Sequence, residues 1–290
     1  MMQRCGMVAV IGAPNAGKST LVNRLAGGKV SIVTPKEQTT RFRVRGLCMR
    51  GDAQLIFIDT PGIFDGRRAF EKGLVEEAWA GVADADALLA VVDASKGMDA
   101  TSLGLMERLR ERRGGKPLVL ALNKVDAVRK PFLLKLAAVC GELGLFERIF
   151  MISAATGDGV EDVAAHLAPL MPEGPWLYPP DQLTDQSLRA LAAEITREKL
   201  FMQLRQELPY DLTVETETWE ERAELIRISQ KIVVEREGQK KIVIGEGGAG
   251  LKTIGIAARL ELERMLGKRV HLELFVKVDK QWKTKSLRGA

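Results

Sequence analysis

The chain has 290 residues, of which 46% are hydrophobic and 28% are charged, a composition that builds packed cores and argues against a disordered chain. Its longest apolar runs, such as residues 87–92, are far shorter than the roughly 20 residues that cross a bilayer. The first residues hold no long apolar stretch, so we expect no secretion signal and a cytoplasmic location. Three scattered cysteines and two isolated histidines argue against a disulfide framework, a metal cage and a histidine-based nucleophile. At about 150 residues per domain, the length predicts two domains.

Strand and helix patterns alternate along residues 1–170. Short apolar runs predict strands at 7–12, 46–51, 54–62, 87–93, 117–126 and 148–154. The last three runs are continuously apolar, which is typical of strands buried on both faces of a parallel sheet. Helices are predicted between the strands, at 71–83, 102–113 and 132–144. The pattern predicts an α/β domain with a mainly parallel, doubly wound sheet that binds its ligand at the carboxyl ends of the strands.

The composition changes after residue 170. Residues 171–187 are rich in proline, which continues neither a helix nor a central strand, so they are predicted to form an ordered linker. The pattern of residues 188–282 predicts a smaller α+β domain. Its elements in chain order are a helix, two strands with alternating apolar residues, a strand-like run before a glycine loop, a second helix and a closing strand. Residues 283–290 form a short basic tail. The formal net charge of +5 is concentrated at this end, since residues 231–290 carry +7, which indicates a polyanionic partner.

A glycine-rich stretch follows the first predicted strand and opens a helix. It fits the pattern Gly-x-x-x-x-Gly-Lys-Ser in the strand-to-helix position that this motif requires. Gly12 and Gly17 let backbone N–H groups turn inward around phosphate oxygens, and the helix N-terminus adds the positive end of its dipole. Lys18 is placed to contact the β- and γ-phosphates, and the Ser19 hydroxyl is placed to ligate Mg²⁺. The predicted phosphate-site residues are Gly12, Ala13, Pro14, Asn15, Ala16, Gly17, Lys18, Ser19 and Thr20.

The motif Asp59-Thr60-Pro61-Gly62 ends another predicted strand. Asp59 is placed to hold Mg²⁺ through water, and the N–H of Gly62 is placed to meet the γ-phosphate. The next residue is Ile63, which neither donates nor accepts a hydrogen bond. Ras-like GTPases have a glutamine there that orients the attacking water. We therefore assign no general base and expect slow intrinsic hydrolysis.

A third motif, Asn123-Lys124-Val125-Asp126, indicates the base. A carboxylate at Asp126 accepts hydrogen bonds from N1–H and the 2-amino group of guanine, a donor pair that adenine lacks. The site is therefore predicted to select GTP over ATP. The Asn123 side chain is placed to fix the base further, and the Lys124 stem is placed to lie along its face. Backbone contacts to the guanine are predicted at the end of the next strand, from Ser153, Ala154 and Ala155.

Together these motifs resemble the Era family of translation-factor-related GTPases, and the resemblance continues to about residue 282. Residues 36–43 resemble the family's first switch, with Thr40 at the threonine that reaches Mg²⁺ and the γ-phosphate in the GTP state. Asn15 matches the asparagine with which related GTPases hold K⁺ beside the phosphates. The resemblance therefore implies GTP and GDP as ligands, K⁺ at Asn15, Mg²⁺ at Ser19, Thr40 and Asp59, and assistance to hydrolysis from Lys18, Thr40 and Asn15.

A glycine loop in the second domain predicts an RNA-binding surface. Gly245-Glu246-Gly247-Gly248 fits the Gly-x-x-Gly turn, with which a KH domain lets a sugar–phosphate backbone approach closely. The order of elements agrees with the type II KH domain that the Era family carries at this position. Glu246 departs from the basic residue that such loops often have. Binding is then expected to depend on neighbouring cations, namely Lys240, Lys241, Lys252, Arg259, Lys283 and Lys285.

The resemblance implies a GTP-driven, RNA-binding switch for small (30S) ribosomal subunit assembly and rRNA processing, which binds the 3′ end of 16S rRNA. The residues alone support single-stranded RNA rather than DNA, and a monomer is expected. Two alternatives are open. One is a nucleotide-gated RNA chaperone whose hydrolysis is incidental. The other is a membrane-associated signalling GTPase whose basic end contacts anionic lipid at the cytoplasmic face of the inner membrane.

Overall fold

The structure, a computed structural model, describes residues 2–36, 39–63, 69–206 and 208–282, and for residues 69–72 it describes the backbone alone. Glu37 and Gln38 of the predicted switch and Lys283 and Lys285 of the tail lie outside the described residues. The described residues form two compact units. The first contains residues up to 33 and from 39 to 185, and the second contains residues 34–36 and those from 186 onward.

The first unit is built around a six-stranded sheet. Its strands are β1 (Arg4–Gly12), β2 (Val44–Arg50), β3 (Ala53–Asp59), β4 (Ala87–Asp93), β5 (Leu118–Asn123) and β6 (Arg148–Met151). Its α-helices are α1 (Lys18–Ala26), α2 (Ala69–Asp84), α3 (Ala100–Arg112), α4 (Lys130–Glu142) and α5 (Val160–Leu167). The strand order is β2-β3-β1-β4-β5-β6, in which β2 is antiparallel to β3 and all other pairs are parallel. This topology confirms the predicted α/β fold with a mainly parallel sheet.

Two hydrophobic clusters cover the two faces of this sheet. Successive side chains of β1 point to opposite faces, so Val8 packs in the cluster that contains Leu21 of α1, whereas Ala9 packs in the cluster that contains Met106 of α3. Strands β3, β4 and β5 are buried at every residue. Burial on both faces explains why β4 and β5 read as continuous apolar runs in the sequence.

Strand β6 is an edge strand, which corrects the prediction for residues 148–154. It is four residues long, both of its end residues are exposed, and it pairs with β5 alone. The prediction of a strand buried on both faces was wrong, because the two middle residues of β6 are only half-buried. An apolar run does not tell how fully other elements cover the faces of a strand. The chain leaves this edge at Ile152 and enters the loop that contains Ser153.

The proline-rich segment is ordered along the first unit. The backbone N–H of Cys5 donates to the carbonyl of Pro172 at 3.1 Å. The buried side chain of Gln54 accepts hydrogen bonds from the N–H groups of Leu177 (2.9 Å) and Tyr178 (3.0 Å), and it donates to the Tyr178 carbonyl (2.8 Å). A single buried amide thus satisfies three backbone groups of the segment, which extended backbone beside a sheet requires.

The second unit has a three-stranded sheet with three helices. Its elements are α6 (Leu188–Gln203), β7 (Leu212–Glu221), β8 (Leu225–Val234), α7 (Glu237–Ile244), α8 (Ala249–Leu266) and β9 (Arg269–Val278). The strand order is β7-β8-β9, with β7 antiparallel and β9 parallel to β8. The antiparallel pairing agrees with the alternating pattern of the sequence. Helix α6, the helix that the sequence predicts at the start of this domain, ends at Gln203.

Helix α7 replaces the strand-like run that the sequence predicts before the glycine loop. The Gln239 side chain reaches back to accept hydrogen bonds from the N–H groups of Glu235 and Arg236, both at 2.9 Å, and so fixes the first turn. Only Val243 is buried in this helix. The β-branched residues before the loop favoured a strand, but the N-terminal hydrogen bonds and one-sided burial select a helix.

In the second unit, helices α7 and α8 bury one narrow face, whereas α6 buries nine of its 16 residues. In α8, which has 18 residues, Ile254, Ala258 and Leu262 form the buried stripe at helical spacing. Its other positions include charged side chains such as Arg259. Within the ranges that the structure describes, no helix has both the length and the apolar character needed to cross a membrane.

Candidate functional site

The sequence motifs of the first unit converge at the carboxyl edge of its sheet. Gly12 ends β1, Asp59 ends β3, Asp93 ends β4 and Asn123 ends β5. Parallel strands bring these ends to one edge, where open α/β sheets bind their ligands. The predicted phosphate, metal and base motifs therefore lie side by side although they are far apart in the sequence.

The phosphate loop requires glycine at two positions for steric reasons. Gly17, the N-cap of α1, has φ +95°, and a Cβ there would lie 2.2 Å from Nδ2 of Asn123. A Cβ on Gly12 would lie 2.4 Å from the carbonyl oxygen of Val91. Side chains at these positions would displace the loop from the strand ends. The two glycines thus keep the N-terminus of α1 against the sheet edge, with its N–H groups available to an anion.

Lys18 is a buried cation at the start of α1. Lys18 is 6% exposed, and its ammonium donates to the carbonyls of Gly12 (3.1 Å) and Ala13 (3.0 Å). Burial lowers the pKa of Lys18 to about 8, against the opposing effect of the Asp59 carboxylate. A buried ammonium that donates to two carbonyls gains from a nearby anion, which a phosphate group supplies.

Three oxygen-bearing side chains from separate elements meet beside Lys18. Ser19 Oγ donates to Asp59 Oδ2 at 2.7 Å, and Thr40 Oγ1 lies 3.3 Å from the same oxygen and 3.0 Å from Ser19 Oγ. The Oδ1 atom of Asp59 is buried and has no hydrogen-bond partner among the described residues. Burial raises the pKa of Asp59, although the Ser19 hydroxyl and Lys18 lower it.

This oxygen set fits Mg²⁺, which takes hard oxygen ligands and binds through one or two carboxylates together with substrate phosphates. The orphaned Oδ1 of Asp59 is a free acceptor in the middle of the set. Across the described parts of the chain, no group of three or more His, Cys, Asp or Glu side chains is arranged to hold a metal ion. Ser19, Thr40 and Asp59 would therefore hold Mg²⁺ together with phosphate oxygens of a nucleotide.

The segment after β3 packs its backbone against the phosphate loop. The N–H of Ile63 donates to the carbonyl of Gly12 at 3.2 Å, and a Cβ on Gly62 would lie 3.0 Å from Pro14. The Thr60 hydroxyl donates to the Val10 carbonyl at 2.8 Å and is fully buried. Pro61, which lies between Thr60 and Gly62 in the sequence, is also buried. Thr60 and Pro61 thus shape the loop, while Gly62 lies beside the phosphate loop.

Ile63 packs into the hydrophobic core. It is 2% exposed and belongs to the hydrophobic cluster that contains Ala9 and Met106, on one face of the sheet. An aliphatic side chain held in this cluster has no group with which to orient water. The five residues that follow, 64–68, lie outside the described ranges.

Asn123 joins the phosphate loop to the loop after β6. Its Nδ2 donates to the carbonyl of Ala16 at 2.8 Å, and its Oδ1 accepts from the N–H of Ala154 at 2.9 Å. The side chain is buried, so both bonds form away from water. The sequence assigned Asn123 to the base itself. In this structure its amide fixes two loops that border the proposed base site, and its contact to the base stays a prediction.

Lys124 spans the space between β4 and the phosphate loop. Its ammonium lies 2.6 Å from Asp93 Oδ2 and donates to the Asn15 carbonyl at 2.8 Å. Burial of Asp93 is outweighed by hydrogen bonds from Lys124 and Ser95, which hold the pKa of Asp93 below its ordinary value. Sequence reasoning missed Asp93, whose signal was an acidic residue at the end of a buried strand.

Within residues 153–157 of the loop after β6, one backbone donor has no acceptor among the described residues. The N–H of Ser153 donates to the Asp158 carbonyl (2.9 Å), and that of Ala154 to Asn123. The N–H of Ala155 has no acceptor among the described residues, and the residue is exposed. Asp126 is likewise exposed, and its carboxylate has no partner in the part of the chain that the structure describes. A donor at Ala155, in the loop after β6, and an acceptor at Asp126, after β5, are thus both available.

In the second unit, the glycine loop joins the end of α7 to the start of α8. Gly245, Gly247 and Gly248 have φ of 73°, 56° and 82°, in the left-handed region that glycine favours. Among the residues that the structure describes, nothing lies within 4 Å of a Cβ on Gly247 or Gly248, whereas one on Gly245 would lie 2.8 Å from the N atom of Gly250. The middle of the loop is thus open to a close approach, and its first glycine is needed for the turn.

Cations flank this loop. Among the described residues, no carboxylate pairs with the Lys240, Lys241 or Lys252 ammonium groups, and Lys241 and Lys252 are exposed. Arg259 differs because its guanidinium bonds both carboxylate oxygens of Glu263, at 3.0 and 2.9 Å. Glu246 is exposed within the loop. The three lysines therefore carry the available positive charge near the loop.

The fold and these sites define a P-loop GTPase that is joined to a KH domain. Family models agree, because one described as a 50S ribosome-binding GTPase matches residues 7–124 and one described as a KH domain matches residues 207–283. The GTPase Era of Rhizobium meliloti is 55% identical over 280 residues, which are 96% of this chain and 89% of that protein. The GTPase Era of Brucella suis is 54% identical with the same coverage.

Two solved structures extend this similarity over nearly the whole chain. A variant of Aquifex aeolicus Era bound to GDP·AlF4⁻ is 37% identical with a TM-score of 0.89, covering 97% of this chain and 96% of its own. A complex of Era with MgGDPNP and nucleotides 1506–1542 of 16S ribosomal RNA gives the same identity and TM-score, covering 97% of this chain and 95% of its own. The chain belongs to the Era family of GTPases. It is a GTP-hydrolysing switch that binds RNA.

Proposed function

We propose that the chain acts in assembly of the small ribosomal subunit by binding the 3′ end of 16S rRNA through its KH domain. The observation that carries this proposal is the presence of both sites in one chain that is similar, over 97% of its length, to an Era that holds MgGDPNP and that RNA. The open glycine loop and its three lysines supply the surface. We assign residues 1–170 to the GTP-binding domain, 171–187 to the linker and 188–282 to the KH domain. The chain acts as a monomer in the cytoplasm.

In the proposed hydrolytic site, the chain contributes positioning and charge. Lys18 holds the β- and γ-phosphates at the N-terminus of α1, where its ammonium is already desolvated. Ser19, Thr40 and Asp59 would hold Mg²⁺, which when bound neutralises charge on the phosphates. The Gly62 N–H meets the γ-phosphate, and Asn15 contributes to a K⁺ site beside it.

The proposed mechanism has no general base. Ile63 is buried in the core, so the side chain that orients water in other GTPases has no counterpart here. The remaining contributions are fixed dipoles, Lys18 and the hydroxyl groups of Ser19 and Thr40. We expect slow intrinsic turnover, which a bound ribosomal partner accelerates.

The proposed base site reads the Watson–Crick edge of guanine, along which O6, N1–H and the 2-amino group lie. Asp126 accepts hydrogen bonds from N1–H and the 2-amino group, since its carboxylate has no other partner among the described residues. The uncommitted N–H of Ala155 donates to O6, and the Lys124 stem lies along the face of the base. The other predicted contacts, Ser153 and Ala154, act by shaping the loop, because their N–H groups are already bonded.

The test is single-turnover GTP hydrolysis by the full chain with purified small subunits, with large subunits as the matched control. We expect acceleration by small subunits alone, and binding of a 16S 3′-end fragment at least tenfold tighter than that of a scrambled RNA in the same salt. Equal binding of both RNAs would contradict the proposal. Specific binding without any change in hydrolysis would favour the RNA chaperone, and flotation with anionic liposomes at moderate salt would favour the membrane alternative.

A further inference from the structure

Arg24, in the last turn of α1, contacts the loop that follows β6. Its Nε donates to the carbonyl of Ala154 at 3.3 Å, and its Nη2 donates to the carbonyl of Ala155. The arginine stem lies along Gly157, where a Cβ would be 3.7 Å from three of its side-chain atoms. None of the nucleotide motifs includes Arg24, although it holds two successive carbonyls of the base loop.

The geometry of a peptide bond links these carbonyls to the base. The carbonyl of Ala154 and the N–H of Ala155 belong to one planar trans peptide, in which the two groups point in opposite directions. A side chain that fixes the direction of the Ala154 carbonyl therefore fixes the direction of the Ala155 N–H. That N–H is the one in residues 153–157 with no acceptor among the described residues.

We propose that Arg24 is a positioning residue for guanine recognition, which aims the Ala155 N–H at O6 of the base by holding the carbonyls behind it. This inference rests on the proposed base site, in which Ala155 donates to O6. Through Arg24, helix α1 connects the phosphate loop at its first turn with the base loop at its last turn.

Arginine suits this role because its planar guanidinium offers several N–H donors in a fixed arrangement, so one side chain holds two acceptors at once. A lysine presents a single ammonium on a flexible stem and would hold the carbonyls less firmly. A glutamine has a shorter side chain and only one donor group. The expected order of base-loop alignment is therefore arginine, then lysine, then glutamine.

The experiment measures binding of GDP and of 2-aminopurine riboside diphosphate, which lacks both O6 and N1–H, to the full chain. Arg24→Gln should weaken GDP binding at least fivefold, but it should weaken binding of the O6-lacking analogue less than twofold. The GDP affinity of Arg24→Lys should lie between those of the wild type and Arg24→Gln. In hydrolysis, KM for GTP should rise while kcat at saturation stays unchanged. The control is Arg110→Gln, since Arg110 also donates to a loop carbonyl, that of Leu143, in a different part of the unit.

The outcomes separate the inference from the base site. Equal weakening of both ligands in Arg24→Gln, or no weakening of GDP, would overturn the role of Arg24 while the wild-type preference for GDP remained. If the wild type itself bound both diphosphates equally, the proposed contacts to O6 and to N1–H would both be wrong and the inference would fail with them. If Arg24→Gln lowers the melting temperature by more than Arg110→Gln does, the affinities for the two ligands are compared in Arg24→Lys instead.

Discussion

The ammonium of Lys124 lies 2.6 Å from the Oδ2 atom of Asp93. The lysine follows β5 and the aspartate ends β4, so the pair connects neighbouring strand ends. Asp93 is 6% exposed, and its other oxygen accepts hydrogen bonds from the N–H and hydroxyl of Ser95. The end of the Lys124 side chain is thereby fixed, and with it the stem along which the base is proposed to lie.

The first prediction concerns this pair. Asp93→Asn should weaken GDP binding three- to tenfold, about 0.7–1.4 kcal/mol, because a charge-assisted hydrogen bond becomes a neutral one. A fluorescent GDP titration measures the change, with Asp162→Asn on the exposed face of α5 as the control. The pKa of Asp93 lies below its ordinary value of 3.8, so the carboxylate is charged above that pH and the effect should be constant from pH 6 to 8. Unaltered affinity would show that the pair does not position Lys124.

The second prediction concerns base choice. Asp126→Asn replaces an acceptor pair with a side chain that also donates, so it should lose affinity for GTP and gain affinity for xanthosine triphosphate. Unsatisfied polar groups in such a site commonly cost ~2–4 kcal/mol. Competition of the two triphosphates against labelled GDP gives both affinities. If the variant bound GTP as well as the wild type does, the assignment of Asp126 to the guanine edge would be wrong.

The third prediction concerns K⁺. Asn15 has φ 62°, and its carbonyl accepts from Lys124, so its backbone is fixed beside the phosphate loop. If its side chain helps to hold K⁺, hydrolysis should be faster in KCl than in NaCl at equal ionic strength, and Asn15→Ala should abolish the difference. Identical rates of the wild type in the two salts would remove K⁺ from the proposed site.

The fourth prediction concerns the glycine loop. Gly247 has φ 56° and ψ 18°, a conformation that Asn and Asp tolerate, and its Cβ position is open. Gly247→Asp should weaken RNA binding at least tenfold, about 1.4 kcal/mol, through repulsion of phosphate, and Gly247→Asn should weaken it much less. Gly238→Asp, at the far end of α7, adds the same charge as a control. Similar RNA affinities for the Asp and Asn variants would contradict a close phosphate approach.

The local sequence pattern predicted most of the helices and strands and the positions of the motifs, because these features depend on residues that are close together in the sequence. The phosphate loop and strands β3 to β5 are examples, since glycine spacing and continuous apolar runs are visible in one dimension. Side chains that connect separate elements were not predictable, because Asp93, Asn123 and Arg24 owe their partners to strand order and loop geometry. Helix α7 was missed for a related reason, since its first turn depends on the Gln239 side chain bonding back to the preceding backbone.

Coupling between nucleotide binding and RNA binding is measured by comparing two RNA affinities of the full chain. The affinity for the 16S 3′-end fragment is determined with GDPNP bound and with GDP bound. We expect at least fivefold tighter RNA binding with GDPNP. By linkage, RNA must then tighten GDPNP binding relative to GDP by the same factor. Equal RNA affinities in the two nucleotide states would contradict the switch and leave two tethered modules.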